Sequence, residues 1–191
     1  MQKSAEVQRS CPMSNLNEFK ELLSTPEVAE LGPGPRAGVE SQKALTARLQ
    51  AAFADTDLTN ERQELIRALV LLWHDHLDAA HGIAQGIDSS DGAFVHAIMH
   101  RREPDSGNSA YWFRRVGRHG AFPEIANRVS ELLRVKGESK LEGKLAPDGE
   151  WQPFEFVNAC ERAEGGEVRL LREVQRVEFE VLLEWFCGLQ K

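Results

Sequence analysis

All six histidines of the 191-residue chain lie between His74 and His119, and five of them flank one short turn. The string WHDHLDAAHGIAQ occupies residues 73–85, and FVHAIMHRREPD occupies residues 94–105. Imidazole transfers protons and binds transition metals near neutral pH, so we expect any chemistry of this chain in this segment. The residue types indicate the kind of site but not the reaction.

Helical periodicity places the polar residues of the two strings on matching faces, in helices predicted over 60–87 and 92–102. The first stripe, spaced i, i+4, i+7 and i+11, consists of His74, Asp78, His81 and Gln85. The second stripe, spaced i, i+4 and i+7, consists of His96, His100 and Glu103. A turn of about four residues makes such helices antiparallel neighbours. The predicted cross-helix pairs are His81 with His96, Asp78 with His100, and His74 with Glu103.

Imidazole and carboxylate together suit zinc, iron, manganese or nickel, and i, i+3 or i, i+4 pairs on helices commonly supply two ligands. The hypothesis is a divalent metal bound by Asp78, His81, His96 and His100. Glu103 would be a general base or a partner that orients a ligand, and His74 would be a second proton-transfer group. Two alternatives stay open, a metal-free groove and a structural or solvated polar network, because each spacing alone arises by chance on helix faces.

The segment from Arg101 to Arg118 is basic although the whole chain carries a formal net charge of −7. Guanidinium groups bind carboxylate or phosphate through paired hydrogen bonds, which indicates a small anionic ligand. The predicted ligand-binding residues are Arg102, Arg114, Arg115, Tyr111 and Gln85. The structural alternative is that these arginines pair with nearby acids and that the aromatic residues of this segment fill the core.

Charge and hydropathy exclude several classes of protein. A net charge of −7 argues against a general nucleic-acid binder, which needs a basic face. The longest apolar run, residues 68–73, is too short to span a membrane. The N-terminus has no apolar segment typical of a signal peptide, so the sequence predicts a cytoplasmic protein. Three widely spaced cysteines predict reduced thiols.

The chain is predicted to be an all-α, single-domain helical bundle of seven or eight helices, built around the 60–87 and 92–102 hairpin. Residues 1–13 are predicted to be disordered, and residues 14–191 to form the domain. A turn-rich meander is expected over 31–38, and a loop or weak hairpin over 136–151. The apolar last helix leaves a homo-oligomer open.

The segment from Leu77 to His119 resembles a family of uncharacterised bacterial and fungal proteins. The family pattern reads LDxxH, then HxIxHRREPD, then NxxYWFRRVGxH, and the resemblance covers about a quarter of the chain. The resemblance implies a shared fold and groove but no mechanism.

Two classes of function follow from these patterns. The first is a cytosolic enzyme, a metal-assisted hydrolase or lyase acting on a small anionic molecule, with no nucleic-acid or membrane partner. The second is a non-catalytic protein, either a metal-free anion-binding module or a helical interaction scaffold.

Overall fold

In a computed structural model, which describes residues 13–189, the chain forms ten α-helices and one 3-10 turn. The helices are α1 (Met13–Leu22), α2 (Gln42–Phe53), α3 (Asn60–Trp73), α4 (Leu77–Ala84), α5 (Ser90–Arg102), α6 (Ser106–Val116), α7 (Phe122–Lys136), α8 (Ser139–Leu145), α9 (Pro153–Arg162) and α10 (Gly166–Phe186). The all-α prediction is confirmed, with more helices than the seven or eight expected. Residues 1–12 of the predicted disordered stretch lie outside the described residues, and α1 begins at Met13.

Short polar side chains start four of these helices at the positions that the sequence indicates. Ser41, Thr59, Ser89 and Asp105 each accept a hydrogen bond from a backbone N–H in the first turn of the helix that follows. Such caps satisfy backbone donors that have no partner inside the helix.

The predicted helix over 60–87 is wrong, because it is two helices separated by residues 74–76. Asp75 has a positive φ of 65°, which a continuous right-handed helix does not allow. Its carboxylate accepts hydrogen bonds from the Arg36 and Arg102 guanidinium groups, each at 2.6 Å. Gly34 passes so close that a Cβ there would lie 2.7 Å from the Asp75 Cγ. The break is therefore stabilised by contacts with distant segments.

The predicted loop or hairpin over 136–151 is also wrong. It contains α8 and a 3-10 turn over Pro147–Gly149. Leu141 and Leu145 stand one turn apart on α8, and both are buried. Burial of this apolar pair against the core outweighs the glycines that made a loop the simpler prediction.

One hydrophobic core extends from Leu16 to Cys187. The long α10 contributes to its centre, where Phe179 meets Trp73 of α3 edge to face with ring centroids 5.2 Å apart. No helix within residues 13–189 is both long and apolar enough to cross a membrane.

Helices α4, α5 and α6 follow one another with short connections and pack side by side. Phe94 of α5 meets Phe113 of α6 at 5.5 Å between ring centroids, and the Ser109 hydroxyl of α6 donates to the Ala97 carbonyl of α5 at 2.8 Å. Because contacting positions rise in α5 as they fall in α6, these two helices are antiparallel. This three-helix unit carries the candidate site.

Candidate metal centre

Three imidazoles from two helices converge on one point. His81 comes from α4, and His96 and His100 stand one turn apart on α5. One potential ligand atom from each residue lies within 4.8 Å of the other two. Ring centroids are 4.7 Å apart for His81 and His96, and 5.6 Å apart for His81 and His100. The predicted meeting of His81 with His96 is thus observed, and His100 joins it.

His96 is the most buried ring of the three, with 3% of its surface exposed. The Trp112 indole stacks on it with centroids 3.8 Å apart and planes inclined by 17°. Burial, reinforced by the charges of His100 and His81, lowers the pKa of His96 to about 4. Its Nδ1 is buried without a hydrogen-bond partner among the described residues. His96 is therefore neutral near pH 7, the form in which imidazole binds a metal.

The orientation of His100 is set by Glu103, one turn further along the chain. Glu103 Oε2 lies 3.0 Å from His100 Nδ1, and the Asn108 amide nitrogen lies 3.4 Å from the same atom. The contact with Glu103, the shorter of the two, is a hydrogen bond in which His100 Nδ1–H donates to the carboxylate. The lone pair then sits on Nε2, and such carboxylate–histidine pairs are typical of metal-ligating histidines.

Asn108 and Trp112 are site neighbours that are not among the residues predicted from the sequence. They stand one turn apart on α6 and contact His100 and His96 respectively. Helical spacing and the short turn between α5 and α6 are the sequence signals that place them beside His96 and His100.

Asp78 and Gln85, predicted with the first stripe, do not join the cluster. Both are exposed. The group of described histidine, cysteine and acidic residues whose ligand atoms approach one another consists of the three histidines without Asp78. The predicted pairing of Asp78 with His100 is replaced by the contact of His81 with that residue.

His74 lies elsewhere, and its predicted pairing with Glu103 is wrong. Its ring is buried beneath α1, where the Nε2–H donates to the Leu22 carbonyl at 2.7 Å and Nδ1 accepts from the Glu40 N–H at 3.1 Å. Both ring nitrogens are engaged in structural hydrogen bonds. This geometry does not support the predicted role of His74 in proton transfer.

The surroundings of His74 predict an acid-dependent loss of stability. Burial lowers its pKa, and the hydrogen bond to Leu22 only partly offsets this. The unfolded chain therefore protonates His74 at a higher pH than the folded chain does. The free energy of unfolding consequently falls as the pH drops below about 6.5. We expect this residue to contribute a slope of up to about 1.4 kcal/mol per pH unit in that window.

Urea unfolding of the wild type and His74→Gln between about pH 5 and 7.5 measures the effect. The variant should show the shallower dependence on pH. Equal slopes for wild type and His74→Gln would contradict the prediction.

Arg102 is a structural residue. Its side chain is 0% exposed and ion-paired with Asp75, and it donates hydrogen bonds to the Gly32 and Leu72 carbonyls. A guanidinium enclosed in this way is not accessible to a substrate, so the predicted ligand-binding role of Arg102 is not supported.

Tyr111, Arg114 and Arg115 lie on the exposed side of α6. The Arg115 guanidinium carbon is 5.3 Å from the centroid of the Trp112 indole, whose ring also stacks on His96. Of the predicted arginines, Arg115 is thus the one shown in contact with a neighbour of the histidine cluster.

Thiolate chemistry is not indicated at Cys160. Burial raises the pKa of the Cys160 thiol to about 12, so the sulfur is protonated at neutral pH and is a poor nucleophile.

Two sizeable concavities lie away from the histidines. One, of about 670 Å³, is bordered by α7, α8 and α10, and another, of about 600 Å³, lies between α1, α7 and α10. None of the residues that line them belongs to the histidine cluster. The candidate site is therefore separate from both of these concavities.

No protein-family model, curated protein or solved structure matches the chain. The family resemblance of residues 77–119 therefore stays an expectation.

Proposed function

We propose that His81, His96 and His100 bind a divalent transition metal ion, with zinc as the first choice. We further propose that the loaded protein is a cytoplasmic hydrolase or lyase for a small anionic molecule. The observation that carries the proposal is the convergence of three imidazoles, one from α4 and two from α5, within 4.8 Å. Three histidines are a ligand set of catalytic zinc sites, which keep a fourth position for water or substrate.

Ligand spacing is compatible with a modest closure around an ion. Zinc–nitrogen bonds of about 2.0–2.1 Å in a tetrahedral site place the nitrogens roughly 3.4 Å apart. The imidazoles, within 4.8 Å of one another, would move together by about 1 Å on binding. Rotation about the side-chain dihedral angles supplies such a shift without a change in the helices.

The protonation of His96 favours this proposal over the metal-free anion-binding module. An anion would be attracted by imidazolium groups, yet the pKa of His96 is about 4, because burial and its neighbours disfavour the charge. A cation needs the lone pair of the neutral ring, which is the form present at pH 7.

Two neighbours support the proposed ligands. Glu103 holds His100 through Nδ1 and strengthens the basicity of its other nitrogen, which favours an orienting role over that of a general base. Trp112 fixes the plane of His96 by stacking. A divalent ion at this point would supply Lewis acidity and lower the pKa of bound water.

Metal titration of untagged protein tests the proposal. We expect about one equivalent of Zn²⁺ or Co²⁺ to bind, and His96→Ala or His100→Ala to weaken binding by at least about 100-fold. At a free Zn²⁺ concentration about 100 times the Kd, the ion should add about 2.7 kcal/mol to the free energy of unfolding. For a chain of this size that corresponds to a Tm increase of roughly 5–10 °C.

Control variants separate ligands from other histidines and acids. His76→Ala removes a ring that contacts the Glu40 carbonyl, outside the cluster, and Asp78→Asn removes the exposed carboxylate. Both should bind the metal as the wild type does. The proposal is excluded if purified protein binds less than about a tenth of an equivalent of zinc, iron, manganese or nickel and none of these ions raises the Tm.

A further inference from the structure

Helix α6 borders the histidine cluster with three side chains on one face. Asn108 lies beside His100, Trp112 covers His96, and Arg115 follows one turn later. The Trp112 indole thus contacts both a proposed metal ligand and a guanidinium group. Arg115 is therefore connected to the histidine cluster through the Trp112 ring.

The present partner of Arg115 is weakly held. Its guanidinium pairs with Asp88 at 3.1 Å, but the Asp88 side chain is 94% exposed and that of Arg115 is 47% exposed. An ion pair this exposed contributes little to stability, because water competes for both groups. A ligand anion with two acceptor oxygens offers Arg115 a better partner than this solvated carboxylate.

The other arginines near α5 are not comparable. Arg101 and Arg102 are buried in ion pairs with Glu178 and Asp75, with exposed fractions of 2% and 0%. Arg114, the neighbour of Arg115, is exposed and stands about 100° away around α6. It is therefore a matched control with the same charge, on the same helix but on a different face.

We infer that Arg115 forms an anion subsite next to the metal, which binds a carboxylate or phosphate group of the molecule that occupies the open coordination position. This inference rests on the proposed function. The Arg115 guanidinium carbon lies 5.3 Å from the centroid of the Trp112 ring, and the guanidinium pairs with Asp88 in the structure. The proposed substrate is therefore a small molecule that carries both a metal-binding atom and an oxyanion group.

Anion binding to the Co²⁺-loaded protein tests the inference, with inorganic phosphate and acetate as separate probes at constant ionic strength. The visible absorption of the bound Co²⁺ and isothermal titration calorimetry are both recorded. We expect Arg115→Gln to weaken binding of at least one probe by about tenfold, since a hydrogen bond to a charged group is lost. Arg114→Gln should change it less than about twofold, and Asp88→Asn should strengthen it because a competing carboxylate is removed.

The outcomes distinguish the subsite from the metal centre. Unchanged anion affinity in Arg115→Gln, with Co²⁺ binding intact, overturns the subsite and leaves the proposed function standing. Equal weakening by Arg114→Gln and Arg115→Gln indicates diffuse charge attraction and also overturns it. Failure of the wild type to bind Co²⁺ overturns both. The probe that responds, phosphate or acetate, identifies the oxyanion.

Discussion

Asp75→Ala should lower the free energy of unfolding by about 3–5 kcal/mol, the range found when one partner of a buried ion pair is removed. The carboxylate is 0% exposed and pairs with two guanidinium groups, from Arg36 and Arg102, each at 2.6 Å. Its second oxygen accepts from the Arg36 backbone N–H at 2.9 Å. Alanine would leave two buried cations without their counter-charge and would place an ordinary side chain at a positive φ.

Urea unfolding of Asp75→Ala beside Asp78→Ala measures this effect. Asp78 is an acid three residues further along but exposed, so its variant should stay within about 0.5 kcal/mol of the wild type. Asp75→Asn keeps the size of the side chain and tolerates a positive φ, so it isolates the loss of charge. A change below about 1 kcal/mol in Asp75→Ala would show that the ion pairs do not stabilise the helix break.

Glu178→Ala should have an effect of similar size on the other side of α5. Glu178 of α10 accepts from Arg101 Nη2 at 2.5 Å and from Nη1 at 3.2 Å, with neither side chain more than 2% exposed. Arg101 also stacks over the Phe156 ring at 4.3 Å. Removal of the carboxylate alone leaves a buried cation, for which we expect a loss of about 3–5 kcal/mol.

The double variant Arg101→Met, Glu178→Leu provides the contrast. An apolar pair of similar volume removes both charges together, and such replacements are often neutral or stabilising. We therefore expect the double variant to be more stable than Glu178→Ala by at least about 2 kcal/mol in urea unfolding. If it is as unstable as the single variant, shape and not charge determines the contribution of this pair.

Local patterns predicted those parts of the fold in which neighbouring residues decide the structure. Helical periodicity located the helix around Phe94, and Asp105 begins α6 as its residue type indicates. The approach of His81 to His96 also followed from periodicity and a short turn, since both helices keep their register on either side of that turn.

The break between α3 and α4 could not be predicted locally. Residues 74–76 contain neither proline nor glycine, and the helical pattern continues through them. The break is stabilised by ion pairs from Asp75 to Arg36 and Arg102, which are 39 and 27 residues away in sequence. Because it shifts the axis of the helix, His74 leaves the stripe that contains His81.

The roles of the arginines could not be predicted from local sequence patterns either. Arg102 and Arg115 lie in the same basic segment of the sequence, yet the Arg102 side chain is buried and the Arg115 side chain is half exposed. Arg102 is buried because the 32–36 loop folds over it, and no local sequence pattern predicts that contact. Burial distinguishes candidate binding residues of this kind, and burial depends on tertiary contacts that local sequence patterns do not predict.

The Asp75 ion pairs also restrict how related chains can diverge. Arg102 is two residues from His100, and Asp75 is six residues from His81, so one buried salt bridge ties the start of α4 to the end of α5 near the imidazoles. A related chain without an acidic residue at position 75 would retain a buried, unpaired arginine at position 102, and its free energy of unfolding would be lower. We therefore expect Asp75 to change only together with Arg36 and Arg102, although none of the three belongs to the histidine cluster.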